Sequence, residues 1–356
     1  MSYSENFDSL AALQFRNVEK YGPNIYGNDL LKSELGRIGV GTVIIPNTAA
    51  YNLEQDTVLA HPTYGYGQIQ MEEAREFPLK KGGIDVIRSR ILTPADIENK
   101  IPVINGPSIR KIGASKWAQY ELVPEYEPKT VAIEANQAPD QKLFDELRGD
   151  LLVVKADMSA LSNFMKVCAR SEAVNAIYTM REEFSAFEKK KDKIRKNNKI
   201  VIQEFVPGLA WDELRGIDEN NRQILASAKT TELRIYCFVD RARNIPIDER
   251  FCATGRSFGS NYDDKWVSVD QGSVPKEAWG IADTVSDRLL SKTNMPGGFF
   301  AIDLIKGKSP DDATERLYVR EINTRDPQMV ESNENAHDSA MQNRLLAKSM
   351  SAMTKS

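Results

Sequence analysis

Three oxygen-bearing side chains near the end of the chain have the types and the spacing of a metal site. Asp303 lies within the apolar stretch FFAIDLIKG, and Glu321 and Asn323 lie two residues apart in RLYVREINTRD. The two stretches are typical of strands, and the polar segment KSPDDATE between them predicts a β-hairpin. Because side chains alternate along a strand, each strand should present a set of residues on one face. These sets are Ala301, Asp303 and Ile305 in the first strand, and Val319, Glu321 and Asn323 in the second.

An unpaired carboxylate flanked by apolar residues is costly to bury, and a cation would remove that cost for Asp303. Hard oxygen ligands from only a few side chains suit Mg²⁺ better than zinc or calcium. Such ions can bridge the β- and γ-phosphates of a nucleotide. An alternative stays open at this point: Asp303 and Glu321 pair with Arg320 or Lys306 at an exposed hairpin edge.

Two further segments carry charged residues on predicted strands. LLVVKAD ends an apolar strand with Lys155, which needs a partner if the strand is buried. TELRIYCFVD alternates so that Glu232, Arg234 and Tyr236 share a face. The strand IVIQEFVPG stops at Pro207 and Gly208, and we expect it to pair with TELRIYCFVD.

The chain of 356 residues is long enough for two or three domains. The proline- and glutamate-containing segment VPEYEPKT marks the first boundary, which gives domains at 1–124, 125–208 and 209–356. The first is expected to be a small α/β unit with a strand in GVGTVIIPN. Ser115 is placed to cap a helix that begins at Lys116. The charged run REEFSAFEKKKDKIRKNNK is typical of a solvated helix. The tail from Asn333 is predicted to be helical and to return polar residues to solvent.

Composition excludes several classes of function. The 47 basic and 51 acidic side chains give a net charge of −4, so no global basic field favours nucleic acid. Three cysteines and two histidines are too few for a disulfide framework, a zinc site or a histidine triad. No apolar run is long enough to cross a membrane, and the N-terminus lacks a secretory pattern, so we expect a cytoplasmic protein.

The order of these motifs resembles the ATP-grasp superfamily. From about Pro102 to Ser332 the chain presents a lysine strand, a hinge strand, an arginine strand and an Asp…Glu-x-Asn pair in the order that the family shows. The run Glu321-Ile322-Asn323-Thr324 is similar to the D-alanine ligase-like branch. The resemblance implies an α/β (α+β) ATP-grasp fold, with an N-terminal α/β domain, a central lid-like subdomain and a C-terminal sheet domain that carries the metal site.

The resemblance also implies roles for residues. Lys155 and Lys116 would contact phosphates, and Arg234 would face the γ-phosphate and the acyl phosphate. The backbone around Glu204 and Val206 would bind the adenine edge while Phe205 packs in the core. The remaining implied residues are the hinge residue Gln203, the ribose-binding Asp212, the phosphate-loop pair Gly272 and Ser273, the substrate carboxylate-binding Arg256 and Arg325, and the Mg²⁺ ligands Asp303, Glu321 and Asn323.

Structural alternatives accompany these roles. Glu204 could be a solvent-facing strand residue, Arg234 could serve a cross-strand ion pair, and Arg256 and Arg325 could be surface arginines on loops. The family's glycine-rich phosphate loop has no counterpart here, because ADMSALSNFMKV contains no glycine.

The activity that the resemblance implies uses ATP and Mg²⁺ to convert a carboxylate to an acyl phosphate with release of ADP. An amine, of an amino acid or a peptide, would then attack to form an amide. Two alternatives remain: a phosphotransferase or other acyl-phosphate enzyme on the same fold, and an ATP-binding protein without turnover. The expected partners are small molecules, with neither nucleic acid nor membrane, and a homodimer stays open.

Overall fold

The computed structural model describes residues 7–14, 28–46, 48–62, 74–80, 83–89, 93–158, 164–190, 199–211, 213–214, 230–258, 265–324, 327 and 336–355. Within these ranges the chain is a mixed α/β fold, as predicted, and its strands form three sheets. Of the described helices, none combines the length and the apolar character that crossing a membrane requires.

The first sheet has a parallel core extended by antiparallel strands. Its order is β3-β4-β2-β1-β6-β7, with β5 also paired to β4. Strand β2 is apolar and buried along its whole length, as parallel strands covered on both faces usually are. The strand bounds are β1 Ser9–Gln14, β2 Val40–Ile45, β3 Tyr51–Asn52, β4 Thr57–Pro62, β5 Arg75–Pro78, β6 Val86–Ser89 and β7 Val103–Ile104. Helix α1, Asn28–Arg37, connects β1 to β2.

Two short helices follow this sheet, α2 at Pro107–Ala114 and α3 at Lys116–Leu122. Ser115 lies between them in an extended conformation, and its side chain accepts a hydrogen bond from the Ala118 N–H at 3.0 Å. The predicted N-cap is confirmed. The cap fixes where α3 begins and therefore where Lys116 stands.

The second sheet is antiparallel with the order β10-β9-β11-β8. Helix α4, Ala173–Lys190, covers one of its faces, and the apolar residues Leu152, Val154 and Ile177 share that core. The strands are β8 Thr130–Glu134, β9 Leu151–Ala156, β10 Met165–Ala169 and β11 Lys199–Glu204. The predicted charged helix therefore exists, while 191–198 of that run lie outside the described residues.

The third sheet is antiparallel with the order β14-β13-β12-β15-β16. The predicted hairpin is confirmed as β15 and β16. The strands are β12 Thr230–Asp240, β13 Phe251–Phe258, β14 Lys265–Ser268, β15 Gly297–Lys308 and β16 Glu315–Asn323. We call the face that carries Glu232, Arg234, Ala301 and Asp303 the front face. The opposite face, with Leu233, Ile235, Ile302 and Leu304, is the back face, and helix α5, Lys276–Thr293, packs there.

The expected pairing of IVIQEFVPG with TELRIYCFVD is wrong, because β11 and β12 belong to different sheets. The chain leaves β11 after Glu204 and reaches Pro207, which has no N–H to continue a ladder. Gly208 instead forms a single antiparallel bridge to Gly307 of β15, and the Leu209 N–H donates to the Lys306 carbonyl at 2.7 Å. The segment after β11 is thus a connection that is hydrogen-bonded to β15 of the third sheet.

The C-terminal segment is a helix, α6 at Ala336–Thr354, as predicted, but it returns only some of its polar residues, such as His337 and Arg344, to solvent. The helix contributes Leu346 and Met350 to a core shared with Leu13 of β1 and Phe299 of β15. Five of its polar side chains are at most 1% exposed: Asp338, Ser339, Gln342, Asn343 and Ser349. The helix packs between the first and third sheets, because both sheets present apolar faces to it.

Candidate active site

The predicted metal ligand Asp303 is paired with the predicted phosphate ligand Arg234. The two residues face each other across the β12–β15 ladder. Arg234 Nε and Nη2 donate to Asp303 Oδ1 and Oδ2 at 2.5 and 2.6 Å, and Asn323 Nδ2 donates to Oδ2 at 2.9 Å. Asp303 is only 1% exposed. A two-point contact with a guanidinium therefore neutralises the buried carboxylate.

The alternative of an exposed hairpin edge is wrong for Asp303, whereas Glu321 is exposed on the edge strand β16 and interacts with Arg320. Strand β15 lies inside the sheet between β12 and β16, so Asp303 is not at an edge. Lys306 pairs with Glu213 and Glu315, and Arg320 pairs with Glu232. Arg234 forms a cross-strand ion pair, which was the structural alternative for this residue, and its partner is Asp303.

A β-bulge corrects the predicted face of the second strand. Asp303 lies opposite Glu321, but the next residue, Leu304, lies opposite Val319, so Arg320 is an extra residue. Two consecutive residues, Arg320 and Glu321, consequently share the front face. Val319 is packed in the back-face core, so it does not share a face with Glu321 and Asn323 as the alternation predicted.

The carboxylate of Glu321 lies among four cationic side chains. It interacts electrostatically with Lys116, Lys155, Arg234 and Arg320. Glu321 itself is exposed. Its neighbours come from α3, β9, β12 and β16, so the site lies where the second and third sheets and the α2–α3 segment meet. We call this junction the cleft.

Contacts at both ends of α3 place Lys116 at this junction. Gln119, one turn along, accepts a hydrogen bond from the Ile322 N–H at 2.7 Å, which fastens the helix beside Glu321. Asp157, just after β9, accepts from the Trp117 N–H at 2.8 Å and from Ser115 Oγ at 2.9 Å. Burial lowers the pKa of Lys116, and Glu321 and Asp157 partly offset that shift.

Lys155 is held by a buried network that extends away from the cleft. Its Nζ donates to Gln203 Oε1 at 2.8 Å, and Gln203 Nε2 donates to Glu127 Oε2 at 3.2 Å and to Thr130 Oγ1 at 2.9 Å. Burial lowers the pKa of Lys155 and raises that of Glu127, and their mutual attraction opposes both shifts. Gln203 therefore orients the lysine.

Sequence reasoning missed Glu127, Asp157 and Gln119 as parts of the site. Glu127 lies in VPEYEPKT, which composition marks as a linker, and Gln119 lies inside a helix. Only Asp157 has a local signal, as an acidic residue two positions after Lys155 at the end of a strand. The contacts of all three are long-range, so no local pattern identifies them.

The hinge segment, residues 203–206, differs from its prediction in which side chains are buried. Glu204 is 4% exposed and its Oε1 accepts from the Arg148 N–H at 2.5 Å, so the solvent-facing alternative is wrong. The Glu204 and Phe205 N–H groups donate to the carbonyls of Lys129 and Leu151 at 3.0 and 3.2 Å. Val206, and not Phe205, is the buried apolar residue here, since Phe205 is half-buried and Val206 packs in a small core with Ile305 and Tyr318.

The face of the second sheet that carries Lys155 is apolar and open. Met165 lies opposite Lys155, and Val167 lies opposite Val153, so all four share that face. Met165 and Val167 are 42% and 49% exposed, and Leu151 on the same face is 44% exposed. The opposite face is the covered one, with Leu152 and Val154 under α4. An exposed apolar patch beside a buried lysine is typical of a binding surface.

Several predicted residues lie elsewhere or outside the described side chains. The N–H groups of Gly272 and Ser273 already donate to Asp270, at 3.1 and 2.9 Å, in a turn flanked by back-face core residues, so they are not available to the front face. Arg256 lies on strand β13 and not on a loop, and its side chain is not described. Asp212 and Arg325 lie outside the described residues.

The front face carries oxygen donors of the kind that a hard metal ion takes. No three His, Cys, Asp or Glu side chains of the described residues converge in a metal-binding manner. Apart from Glu232, which pairs with Arg320, the front face offers the carboxylates of Asp303 and Glu321. The third donor is the amide of Asn323, whose Nδ2 now donates to Asp303, so the amide must turn to present its oxygen to a metal. Two carboxylates and an amide oxygen fit Mg²⁺, which keeps part of its shell for water and phosphate.

No protein-family model and no curated protein matches the chain, so solved structures carry the comparison. One is the D-alanyl-alanine synthetase A from Vibrio cholerae, with TM-score 0.51, 13% identity and coverage of 98% of this chain and 99% of that one. A second is a RiPP-associated ATP-grasp ligase from Chryseobacterium gregarium in complex with ADP and a leader and core peptide, with TM-score 0.54, 14% identity and 97% coverage of both. A third is the D-alanine–D-alanine ligase from Bacillus anthracis, with TM-score 0.52, 13% identity and coverage of 98% and 97%.

The fold of this chain is the ATP-grasp fold. The likeness spans nearly the full length of this chain and of each of these structures. At such low sequence identity this likeness establishes the fold alone, because chemistry depends on the residues of the site.

Proposed function

We propose that this protein is an ATP-dependent, ADP-forming ligase that activates a carboxylate as an acyl phosphate and joins it to an amine. The observation that carries the proposal is the convergence of Lys116, Lys155 and Arg234 on Glu321, beside the Asp303–Asn323 pair. Cations from three separate elements that meet next to oxygen ligands suit a metal-bound polyphosphate.

The adenine moiety would lie against the apolar face of the second sheet, on Met165, Val167 and Leu151. Their exposed fractions of 42% to 49% mark a surface that a planar base would cover. Among the described residues, no backbone hydrogen bond engages the Val206 N–H, so this group can serve a ring nitrogen of the base. The Glu204 N–H is already engaged, which makes Val206 the hinge donor.

Asp303, Glu321 and Asn323 would hold Mg²⁺, which when bound neutralises phosphate charge. Arg234 orients the Asp303 carboxylate through its two-point contact. Lys155 and Lys116 would contact phosphate oxygens, and Gln203 and Asp157 hold these lysines from behind. The charges of the site are therefore fixed before a nucleotide arrives, which lowers the cost of reorganisation.

The reaction needs no nucleophile from the protein. The substrate carboxylate attacks the γ-phosphorus, the bond to the ADP oxygen breaks, and the resulting acyl phosphate accepts an amine with loss of phosphate and a proton. The side chains align the reactants and stabilise charge. We further propose an amino acid or peptide as substrate, because the structural neighbours include D-alanine ligases and a ligase bound to a peptide.

The test is an incubation with ATP, Mg²⁺, hydroxylamine and a panel of amino acids and peptides, with ADP and hydroxamate both measured. Hydroxylamine traps an acyl phosphate, so the proposal requires stoichiometric hydroxamate and ADP with at least one carboxylate. Release of AMP would contradict it. ADP together with a stable phosphorylated product, and no hydroxamate, would identify a phosphotransferase instead.

A further inference from the structure

The pair formed by Arg320 and Glu232 has no assigned part in the proposed reaction, yet it lies on the front face. Glu232 is two residues before Arg234 on β12, and the side chain of Glu232 is 1% exposed, while that of Arg320 is 33% exposed. The carboxylate is therefore inside the protein and the guanidinium is directed outward. This is the arrangement of an arginine that a buried acid orients.

The outward direction leads into the cleft. Arg320 interacts electrostatically with Lys155, which belongs to a different sheet on the other side of the cleft. It is also the immediate neighbour of Glu321, where Lys116, Lys155 and Arg234 converge. The guanidinium thus lies among the groups to which the phosphates are assigned.

The bulge is what brings Arg320 there. If side chains alternated regularly along β16, residue 320 would point to the apolar back face, where Ile322 and Ile302 lie. The extra residue allows two adjacent side chains, one acid and one base, to share the front face, a use that bulges commonly have beside functional sites. The loop sequence after Lys155 contains no glycine, so a backbone cradle of glycines is not available to the phosphates.

We propose that Arg320 is a phosphate-binding residue of the nucleotide site, turned into the cleft by the β16 bulge and oriented by Glu232. This rests on the proposed nucleotide site and adds a residue to it. Arg320 would supply N–H donors to the nucleotide phosphates from the third sheet, opposite Lys155. Its planar fork suits two phosphate oxygens at once.

A simpler role has to be separated from this one, namely that Arg320 only neutralises buried Glu232. Arg320→Gln alone would leave that carboxylate buried without its partner and could unfold the protein. The informative variant is Glu232→Gln combined with Arg320→Gln, which removes both charges. Glu232→Gln alone keeps the arginine, and Arg316→Gln, an exposed arginine on the same strand, is the matched control.

The measurement is calorimetric titration of each variant with ADP·Mg²⁺, with the non-hydrolysable ATP analogue AMP-PNP·Mg²⁺ and with adenosine. We expect the double variant to bind both nucleotides about tenfold more weakly or worse, with adenosine affinity unchanged. Glu232→Gln keeps the arginine but loses the charge that orients it, so it should bind both nucleotides more weakly than the wild type and more tightly than the double variant. Arg316→Gln should stay within about twofold of the wild type. A double variant that binds nucleotides like the wild type, or that loses adenosine in equal measure, overturns the proposal. A wild-type protein that binds none of the three ligands overturns the nucleotide site itself.

Discussion

Arg234 and Asp303 form a two-point ion pair directly across the β12–β15 ladder, with Nε–Oδ1 and Nη2–Oδ2 distances of 2.5 and 2.6 Å. Both side chains are buried, with 6% and 2% of their surface exposed. A buried pair of this kind costs little as a unit and much when one member is lost, because the other charge remains without compensation. We therefore expect stability and the proposed chemistry to be coupled at Asp303.

Replacement of Asp303 by alanine is expected to destabilise the protein by about 3 to 5 kcal/mol, because it leaves the Arg234 guanidinium buried without its partner. Urea unfolding measures this loss. Asp303→Asn combined with Arg234→Gln removes both charges and should recover most of the stability, while ADP formation stays absent. If Asp303→Ala unfolds at the wild-type urea concentration, the pair does not carry the stability assigned to it.

Replacement of Glu321 by alanine should abolish activity with only a small effect on stability. Glu321 offsets the charge of neighbouring cations but is itself exposed, so the free energy of unfolding should fall by only about 1 kcal/mol or less. Magnesium-dependent ADP formation should nevertheless be lost, because the proposed metal site would lose one of its three oxygen donors. The control is Glu315→Ala at the start of the same strand, which should keep full activity. Wild-type turnover in Glu321→Ala would move the metal site elsewhere.

The affinity for ATP should depend on pH through Lys155. Burial lowers the pKa of this lysine, and Glu127 partly opposes that shift. In the proposed site the protonated amine of Lys155 binds phosphate. Affinity should therefore be present below the lowered pKa and be lost as the pH rises through it, at a pH below the pKa of an ordinary lysine. In Glu127→Gln the opposing charge is absent, so the pKa falls further.

This pH dependence is measured by titration with ADP·Mg²⁺ from about pH 6 to pH 10, a range chosen to bracket a lowered lysine pKa. The loss of affinity should begin at lower pH in Glu127→Gln than in the wild type. Lys116 is unchanged in both proteins, so its own titration cancels in the comparison. Identical pH profiles would show that Glu127 does not govern the charge of Lys155.

Gly307 should be sensitive to a single added methyl group. A Cβ at this position would overlap the side chain of Val206, at the point where Gly208 bridges to β15. We expect Gly307→Ala to cost about 1 to 3 kcal/mol and to weaken nucleotide binding, because the hinge must move away from the third sheet. Chemical unfolding and calorimetric titration measure the two effects.

The matched substitution is Gly280→Ala, within helix α5, where an added Cβ meets no atom within 4 Å. It should stabilise the protein by up to about 1 kcal/mol, because alanine is the better helix former. It should leave nucleotide affinity unchanged. A Gly307→Ala protein that behaves like Gly280→Ala would show that the hinge tolerates displacement from β15.

Local patterns were sufficient for the parts of the fold that depend on neighbours in the chain. Alternation predicts the β15–β16 hairpin and the shared face of Asp303, Glu321 and Asn323, because strand geometry has a period of two. The Ser115 cap follows from the side-chain chemistry of one residue. The order of the lysine, hinge, arginine and metal motifs predicts the ATP-grasp fold, which is confirmed.

Features that depend on register and on long-range contacts required the tertiary structure. A single extra residue at Arg320 reverses the face of Val319, and no propensity marks the position of a bulge. The pairing of Arg234 with Asp303 depends on which strands are neighbours, and β11 and β12 proved to be in different sheets. Glu127 reaches Lys155 only through a contact between residues 76 apart, Glu127 and Gln203. The packing of the core decides which partner a buried charge meets, and the order of residues along the chain does not reveal that partner.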